Sequence, residues 1–157
     1  MKVTIFAVGK TSAPWIATGI DTYLKRLQHY LPTTLDIIPD VRNAATLSED
    51  MRCRLEGEAL LARFEPSDYV MLLDERGKAL SSMEFADTLE NLGNRSVRRL
   101  ALVIGGPYGF SDDVYARANT KLSLSRMTFT HDMARLIIAE QLYRAVSILK
   151  GLPYHHE

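Results

Sequence analysis

The sequence predicts an α/β fold, in which a parallel sheet carries helices on both of its faces. Short apolar runs alternate with helical patterns in the order β-α-β-α-β-α-β-α-β-α, and this alternation is typical of parallel sheets. Two of the runs, Tyr69–Leu73 and Leu100–Ile104, are apolar at nearly every position, as expected of strands that are covered on both faces. With 157 residues and a hydrophobic content of 46%, the chain is predicted to form a single domain, residues 1–157.

The first half of the chain contains three predicted strands and two predicted helices. The strands are Val3–Val8, Leu35–Ile38 and Tyr69–Leu73, and the helices are Pro14–Tyr30 and Ser48–Phe64. The helical spacing of Ile16, Ile20 and Leu27 indicates the first helix, and Pro32 closes it. Ser48 is followed by two acidic residues, a pattern that is typical of a helix N-terminus.

The second half is predicted to add two strands and three helices. They are a helix capped by Ser81 or Ser82 that runs to Leu92, the strand Leu100–Ile104, a short helix from Ser111 to about Ala118, a strand or strand-like loop Leu122–Phe129, and a long helix Asp132–Leu149. Gly93 is predicted to end the first of these helices, because glycine is common just past a helix C-terminus.

The long C-terminal helix is predicted to be apolar on two sides. One stripe contains Ile138, Leu142, Ala145 and Leu149, and the other contains Leu136, Ala139, Tyr143 and Val146. One stripe is enough to dock a helix on its own sheet. The second therefore indicates either a partner, most simply a second copy of the chain, or a helix that is enclosed within the fold, and the pattern alone leaves both open.

Composition predicts a cytoplasmic protein. No apolar stretch approaches the roughly 20 residues of a membrane span, and the N-terminus lacks a signal-peptide pattern. Cys53 is the only cysteine, so an internal disulfide is excluded. The 19 basic residues balance the 19 acidic ones, but the bases are in excess after Val114. An anionic ligand is therefore expected to meet the C-terminal third, although an ordinary solvated surface would have the same pattern.

A glycine-rich loop, Gly105-Gly106-Pro107-Tyr108-Gly109, follows the buried strand Leu100–Ile104. In parallel α/β sheets, ligands bind beyond the carboxyl ends of the strands, and glycines there let the backbone approach a ligand closely. The spacing is neither a dinucleotide fingerprint nor a P-loop. Asp112 and Asp113 begin the next helix and would repel a phosphate, but not an adenosine ligand without phosphates, such as S-adenosylmethionine. A tight turn before a capped helix is the alternative.

Other patterns give only weak indications of chemistry. No two histidines have the helical spacing of a metal site, so no metal is predicted. Cys53 lies between Arg52 and Arg54, whose charges would lower its pKa, although a spectator thiol is the simpler interpretation. Glu140 and Arg144 are spaced i,i+4 and are expected to pair on a helix face.

Several segments, taken together, resemble one family over essentially the whole chain. They are Phe6–Lys10, Leu72–Lys78, Val103–Gly109 with its I-G-G-P-x-G pattern, Leu122–Ser125, the L-Y-R-A run Leu142–Ala145, and the closing Pro153-Tyr154-His155. In order and total length they resemble the RlmH family, the ribosomal large-subunit pseudouridine N3-methyltransferases of the SPOUT class. The resemblance implies an S-adenosylmethionine-dependent enzyme whose substrate is 23S ribosomal RNA, within the large subunit or the whole ribosome.

The resemblance also implies a fold, an assembly and a cofactor site. The fold is the SPOUT α/β fold with a deep C-terminal trefoil knot, which general topology rules would not predict. The assembly is a homodimer. The pocket for S-adenosyl-L-methionine lies in the knot and is formed largely by backbone, at Leu73, Gly105, Gly106, Leu124, Ser125, Arg126, Met127, Thr128 and Phe129.

By the same resemblance, Arg144, Tyr154 and His155 lie at the active site, in the chain's own subunit or in the partner's. Arg144 would stabilise negative charge on the base or hold a phosphate, Tyr154 would stack on the base or hydrogen-bond to it, and His155 would help to remove the N3 proton. His156 stands where relatives often have Arg or Lys, which weakens a phosphate contact at neutral pH.

Two other functions are compatible with the sequence. One is a SPOUT methyltransferase that acts on transfer RNA, and the other is a ribosome-binding module without catalysis. A short chain with zero net charge should bind naked RNA weakly, which counts against a free RNA substrate. Binding of S-adenosylmethionine separates an enzyme from a pure binding module, because a pure binding module has no use for a methyl donor.

Overall fold

A five-stranded sheet and five α-helices form the framework of the protein, in a computed structural model that describes residues 1–156. The strands are β1 (Lys2–Val8), β2 (Thr33–Ile38), β3 (Tyr69–Ala79), β4 (Arg99–Ile104) and β5 (Thr120–Ser123). The helices are α1 (Pro14–Leu27), α2 (Glu49–Leu61), α3 (Ser82–Asn94), α4 (Asp112–Arg117) and α5 (His131–Lys150). Their order along the chain is the alternation that the sequence predicted.

All the strands of the sheet are parallel, and they lie in the order β2-β1-β4-β3-β5. The predicted parallel α/β sheet is thereby confirmed. Because parallel strands share one direction, the carboxyl ends of β4, β3 and β5 meet along one edge of the sheet. The loops after these strands, including Gly105–Gly109, therefore come together where parallel α/β proteins bind their ligands.

Helices cover both faces of the sheet, as the continuous apolar strands predicted. On one face, Ile5 and Leu102 belong to a buried layer that packs against α1, α3 and α5. On the other face, Phe6 and Val103 belong to a layer that packs against α2 and α4. Successive side chains of a strand point to opposite faces, so each central strand supplies both layers and must be apolar throughout.

Strand β3 is longer than predicted, because it continues past Leu73 through a bulge. Its pairing with β5 shifts between Leu73 and Lys78, both of which lie opposite Leu122. Gly77 lets the strand return to the ladder, since a Cβ there would lie 2.7 Å from backbone atoms of Leu122. A bulge interrupts the two-residue alternation of a strand, and this is why the polar residues after Leu73 concealed it in the sequence.

Other predicted boundaries also differ from the structure, and helices α1 and α2 each end three residues earlier than predicted. Strand β5 ends at Ser123, and the rest of the predicted segment Leu122–Phe129 is a loop, in which the Ser125 hydroxyl accepts the Met127 N–H at 2.9 Å. Helix α3 runs through Gly93, and the chain reverses instead at Ser96, where φ is 60°. A glycine inside a helix costs only about 1 kcal/mol relative to alanine, which the packing of an amphipathic helix readily offsets.

The second apolar stripe of α5 packs within its own chain, because α5 contacts both α1 and α3. Leu136 lies against Gly19 of α1, where a Cβ would approach its Cδ1 to 2.9 Å. The ring of Tyr143 lies 6.1 Å from that of Tyr23, also on α1. Part of the stripe is therefore covered by α1 within the fold, and the stripe does not by itself indicate a partner.

Candidate active site

A cavity of about 610 Å³ opens at the carboxyl edge of the sheet. Its walls are the β3 bulge, the glycine-rich loop, the loop after β5 and the first turn of α5. The lining includes eight of the nine predicted cofactor residues, namely Leu73, Gly105, Gly106, Leu124, Ser125, Met127, Thr128 and Phe129. The ninth, Arg126, is exposed and lies outside the lining. The structure thus brings residues from three separate segments to one concave surface.

One wall of this cavity is a polar network that the sequence analysis missed. The Tyr115 hydroxyl on α4 donates to one carboxylate oxygen of Asp74, and the Arg76 backbone N–H donates to the other at 2.8 Å. The Arg76 Nη2 donates to the Tyr115 hydroxyl oxygen at 2.6 Å. These bonds tie the β3 bulge to the helix after the glycine-rich loop, so that two walls of the cavity hold one another in place.

The network keeps Asp74 ionised. Burial by itself raises the pKa of Asp74, but hydrogen bonds from Tyr115 and Arg76 outweigh burial, and the net shift lowers the pKa. Burial and the bond to Asp74 raise the pKa of Tyr115, which therefore remains a protonated donor. Glu49 and Glu75 also line the cavity, so the described lining holds three carboxylates and one guanidinium, that of Arg76. Such a surface favours a cationic ligand over a phosphate.

The predicted catalytic residues form a second polar cluster, at the C-terminal end of α5. Arg144 donates to one Glu140 oxygen from Nη2 at 2.6 Å and from Nε at 3.1 Å, and the Tyr154 hydroxyl donates to the same oxygen at 3.0 Å. The Arg144 Cζ lies 4.9 Å from the centre of the Tyr154 ring, and its Nη1 lies 3.3 Å from His155 Nδ1. The predicted pair of Glu140 and Arg144 is confirmed, and it proves to be the anchor of the tail.

The hydrogen bonds of this tail cluster, which consists of Glu140, Arg144, Tyr154 and His155, identify its donors and acceptors. The Tyr154 hydroxyl donates its one hydrogen bond to Glu140, so in the 3.2 Å contact between the two phenol oxygens the Tyr23 hydroxyl donates. Burial, with the bonds to Tyr23 and Glu140, raises the pKa of Tyr154, and the bonds to Glu140 raise the pKa of Arg144. A guanidinium has no acceptor, so in this contact Arg144 can only donate to Nδ1 of His155.

The cavity and the tail cluster lie well apart along α5. Ala134 is the last residue of the helix in the cavity lining, and from Ala134 to Arg144 the helix rises by about 15 Å. Tyr154 folds back along the helix only to the level of Glu140. Within one chain, the cavity and the tail cluster are therefore two separate groups of residues along α5.

The remaining candidates do not form sites in the structure. Burial and the charge of Glu56 raise the pKa of the Cys53 thiol, so the lowering expected from Arg52 and Arg54 is wrong. Among residues 1–156, no three side chains of His, Cys, Asp or Glu are grouped as they would be around a metal ion. Over the same range, no helix is both long enough and apolar enough to cross a membrane.

The family model and the curated relatives that match this chain show one family. A family model described as a predicted SPOUT methyltransferase matches residues 1–155. Proteins named ribosomal RNA large subunit methyltransferase H from Parabacteroides distasonis and Flavobacterium psychrophilum are each 48% identical to the chain over 157 residues, which is 100% of both sequences. The structure of a probable methylase family protein from Haemophilus influenzae aligns with a TM-score of 0.54 at 11% identity, over 95% of this chain and 66% of that one, and supports the fold alone.

Proposed function

We propose, on the premise that this chain belongs to the SPOUT methyltransferase family, that it methylates N3 of a pseudouridine in 23S ribosomal RNA with S-adenosylmethionine as methyl donor. The observation that carries the proposal is the 48% identity over the full length of relatives named as large-subunit ribosomal RNA methyltransferases. The identity of the nucleotide and of the donor rests on the sequence motifs and on the chemistry of the cavity. The same family membership implies the C-terminal trefoil knot.

The cavity suits S-adenosylmethionine in size and in charge. A volume of about 610 Å³ lies within the range of small-ligand sites. Backbone at Leu73, Gly105 and Gly106 and the loop Leu124–Phe129 would hold the ligand, and the carboxylates around it complement a cation. When bound, the cofactor supplies an electrophilic methyl group on a positively charged sulfur. The protein's own task is then to hold the base in line and to accept a proton from its N3.

The tail cluster supplies the groups for that task. Arg144 stays cationic and can stabilise negative charge that develops on the base or hold a phosphate. Tyr154 stays protonated, so it acts as a hydrogen-bond donor or a stacking surface and not as a base. His155 can accept the N3 proton at Nδ1 only after Arg144 has turned its Nη1 away from that nitrogen. Binding of RNA by Arg144 would therefore release the base that the reaction needs.

We further propose that the functional unit is a homodimer in which the tail of one subunit completes the cavity of the other. The motive is the rise of about 15 Å between the last cavity residue of α5 and Arg144 in the same chain. A two-fold dimer brings each half to its complement twice, so both sites become complete at once.

The substrate is proposed to be the assembled ribosome or its large subunit, because a chain with zero net charge gains little from naked RNA. The test is a transfer assay with labelled S-adenosylmethionine on intact ribosomes, isolated subunits, free ribosomal RNA and transfer RNA. All substrates are taken from a strain that lacks the enzyme. Label at one pseudouridine of 23S RNA is the expected result. Label in transfer RNA, or cofactor binding without transfer to any RNA, would contradict the proposal.

A further inference from the structure

Glu56 is a buried carboxylate beneath the glycine-rich loop, and the site described above does not use it. The side chain lies on α2 and is only 3% exposed. One oxygen, Oε1, accepts a hydrogen bond from Arg52 Nε at 3.0 Å. The other, Oε2, is buried and has no hydrogen-bond partner among residues 1–156. Buried polar atoms are nearly always paired, so an unpaired carboxylate oxygen needs an explanation.

The unpaired oxygen lies directly against Gly106 of the cavity wall. A Cβ on Gly106 would lie 2.2 Å from Glu56 Oε2, so glycine is the residue that fits between the carboxylate and the cavity. The next residue on α2, Gly57, packs equally closely against Ser111, which follows the loop, since a Cβ on Gly57 would lie 2.2 Å from Ser111 Oγ. Helix α2 thus supports both ends of the segment that runs from Gly106 to Ser111.

Arg52 and Cys53 extend this support to the middle of the loop. The Arg52 Cζ lies 5.6 Å from the centre of the Tyr108 ring, and the Cys53 thiol lies 3.8 Å from the Gly109 carbonyl oxygen. One face of α2 therefore contacts the loop along its length, and Glu56 Oε2 is the only buried side-chain oxygen or nitrogen of that contact, within the described residues, that lacks a hydrogen-bond partner.

We propose that Glu56 is a positioning residue for the cofactor. It holds the Gly105–Gly109 loop from the side away from the cavity, and its Oε2 accepts a backbone N–H of that loop when S-adenosylmethionine is bound. The inference rests on the proposed function, since it concerns the same cavity. It explains why a carboxylate is retained at a buried position where an apolar residue would be less costly to bury.

Glu56→Gln is the sharpest test, because it keeps the shape of the side chain and reverses one hydrogen-bonding role. Arg52 has only donors, so the glutamine oxygen must face Arg52, and its NH₂ group then occupies the place of Oε2. An acceptor for the loop becomes a donor. By calorimetric titration, the dissociation constant for S-adenosylmethionine is expected to rise about tenfold. The unfolding midpoint is expected not to fall, because a buried charge has been removed.

Glu58→Gln is the matched control, since Glu58 lies on the same helix with 61% of its side chain exposed. It is expected to leave both the dissociation constant and the midpoint unchanged. A second test uses space: Gly106→Ala should weaken binding, because its Cβ would lie 2.2 Å from Glu56 Oε2 and would push the loop away from α2.

Three results would overturn the inference. Unchanged cofactor binding in Glu56→Gln would do so, as would a fall of binding and midpoint together, which marks a purely structural residue. Unchanged cofactor binding in Gly106→Ala would also do so, since the loop would then not depend on its close contact with Glu56. A wild-type chain that binds no S-adenosylmethionine would instead overturn the proposed function and this inference with it, so the two failures are distinguishable.

Discussion

A mixture of two inactive variants is expected to regain activity if the tail of one subunit serves the cavity of the other. Arg144→Ala removes the guanidinium from the tail cluster and leaves the cavity intact. Gly105→Val fills the cavity, because even a Cβ at Gly105 would lie 3.0 Å from the Phe110 ring. Each variant alone is expected to lose methylation, by roughly 10²-fold or more where a catalytic group is removed.

The expected size of the recovery follows from the arrangement of the two halves. Because the cavity and Arg144 are separated by about 15 Å along α5, we expect no complete site within one chain. Co-expression in equal amounts makes half of the dimers mixed. Each mixed dimer has one complete site, which pairs the cavity of the Arg144→Ala chain with the tail of the Gly105→Val chain. The mixture should therefore have about a quarter of wild-type activity.

A second mixture provides the control, with wild type and a chain that carries both substitutions. If the tail completes the partner's cavity, mixed dimers are inactive and about a quarter of the wild-type activity remains. If the tail completes the cavity of its own chain, each mixed dimer keeps one active site and about half of the wild-type activity remains. Activity is measured as label transferred to ribosomes, and light scattering reports the mass of each species. No recovery in the first mixture, together with half activity in the second, would refute a shared site.

Three further experiments test the fold and the cavity, two of them with a matched control variant. Gly77→Ala is expected to destabilise the protein by about 1–3 kcal/mol in urea and to weaken cofactor binding, because its Cβ meets the backbone of β5. The control, Gly93→Ala, should stabilise the protein by about 0.5–1 kcal/mol, because nothing lies within 4 Å of a Cβ at Gly93. Equal changes of stability in Gly77→Ala and Gly93→Ala would refute the close approach of Gly77 to β5. Leu142→Glu should unfold the chain, since Leu142 is fully buried, whereas Leu149→Glu, 38% exposed in the wild type, should change stability by less than about 0.5 kcal/mol. Asp74→Asn should reduce the loss of stability in acid. The lowered pKa of Asp74 adds stability to the folded state that is complete above about pH 4 and is lost as the pH falls toward the folded-state pKa. An acid transition that is the same in the variant and the wild type would contradict the ionised pairing of Asp74.

The elements of this fold were predictable from the sequence wherever burial governs the pattern. Strands β1 and β4 are covered on both faces, so their unbroken apolar runs identified them. The β3 bulge was not predictable, because it depends on a backbone contact between Gly77 and β5 that leaves no periodic signal. The second stripe of α5 was read correctly as apolar, but only the structure shows that α1 covers part of it.

The candidate site, like the fold, was only partly predictable from the sequence. The glycine-rich loop and the residues Leu124–Phe129 were identified from motifs, because these segments are contiguous in the chain. The bond between Asp74 and Tyr115 joins residues 41 positions apart, and no local pattern pairs them. Tyr23 lies within the predicted first helix, yet the pattern of that helix did not indicate that its hydroxyl contacts Tyr154 across the interface between α1 and the tail. Long-range polar pairs of this kind depend on tertiary packing, which local sequence patterns do not encode.

The separation of the two polar clusters has a physical consequence for the proposed reaction. The cavity lining is acidic, which suits a cationic donor, whereas an RNA substrate requires cations at the point of contact. An Arg144 that reached this lining unpaired, in its own chain or in the partner's cavity, would neutralise the charge that favours the donor. Pairing with Glu140 instead keeps the guanidinium occupied at a distance until a stronger anion competes for it. In the proposed dimer, RNA would draw Arg144 from Glu140 and free His155 Nδ1 in the same movement, so that the proton acceptor would become available only with substrate present.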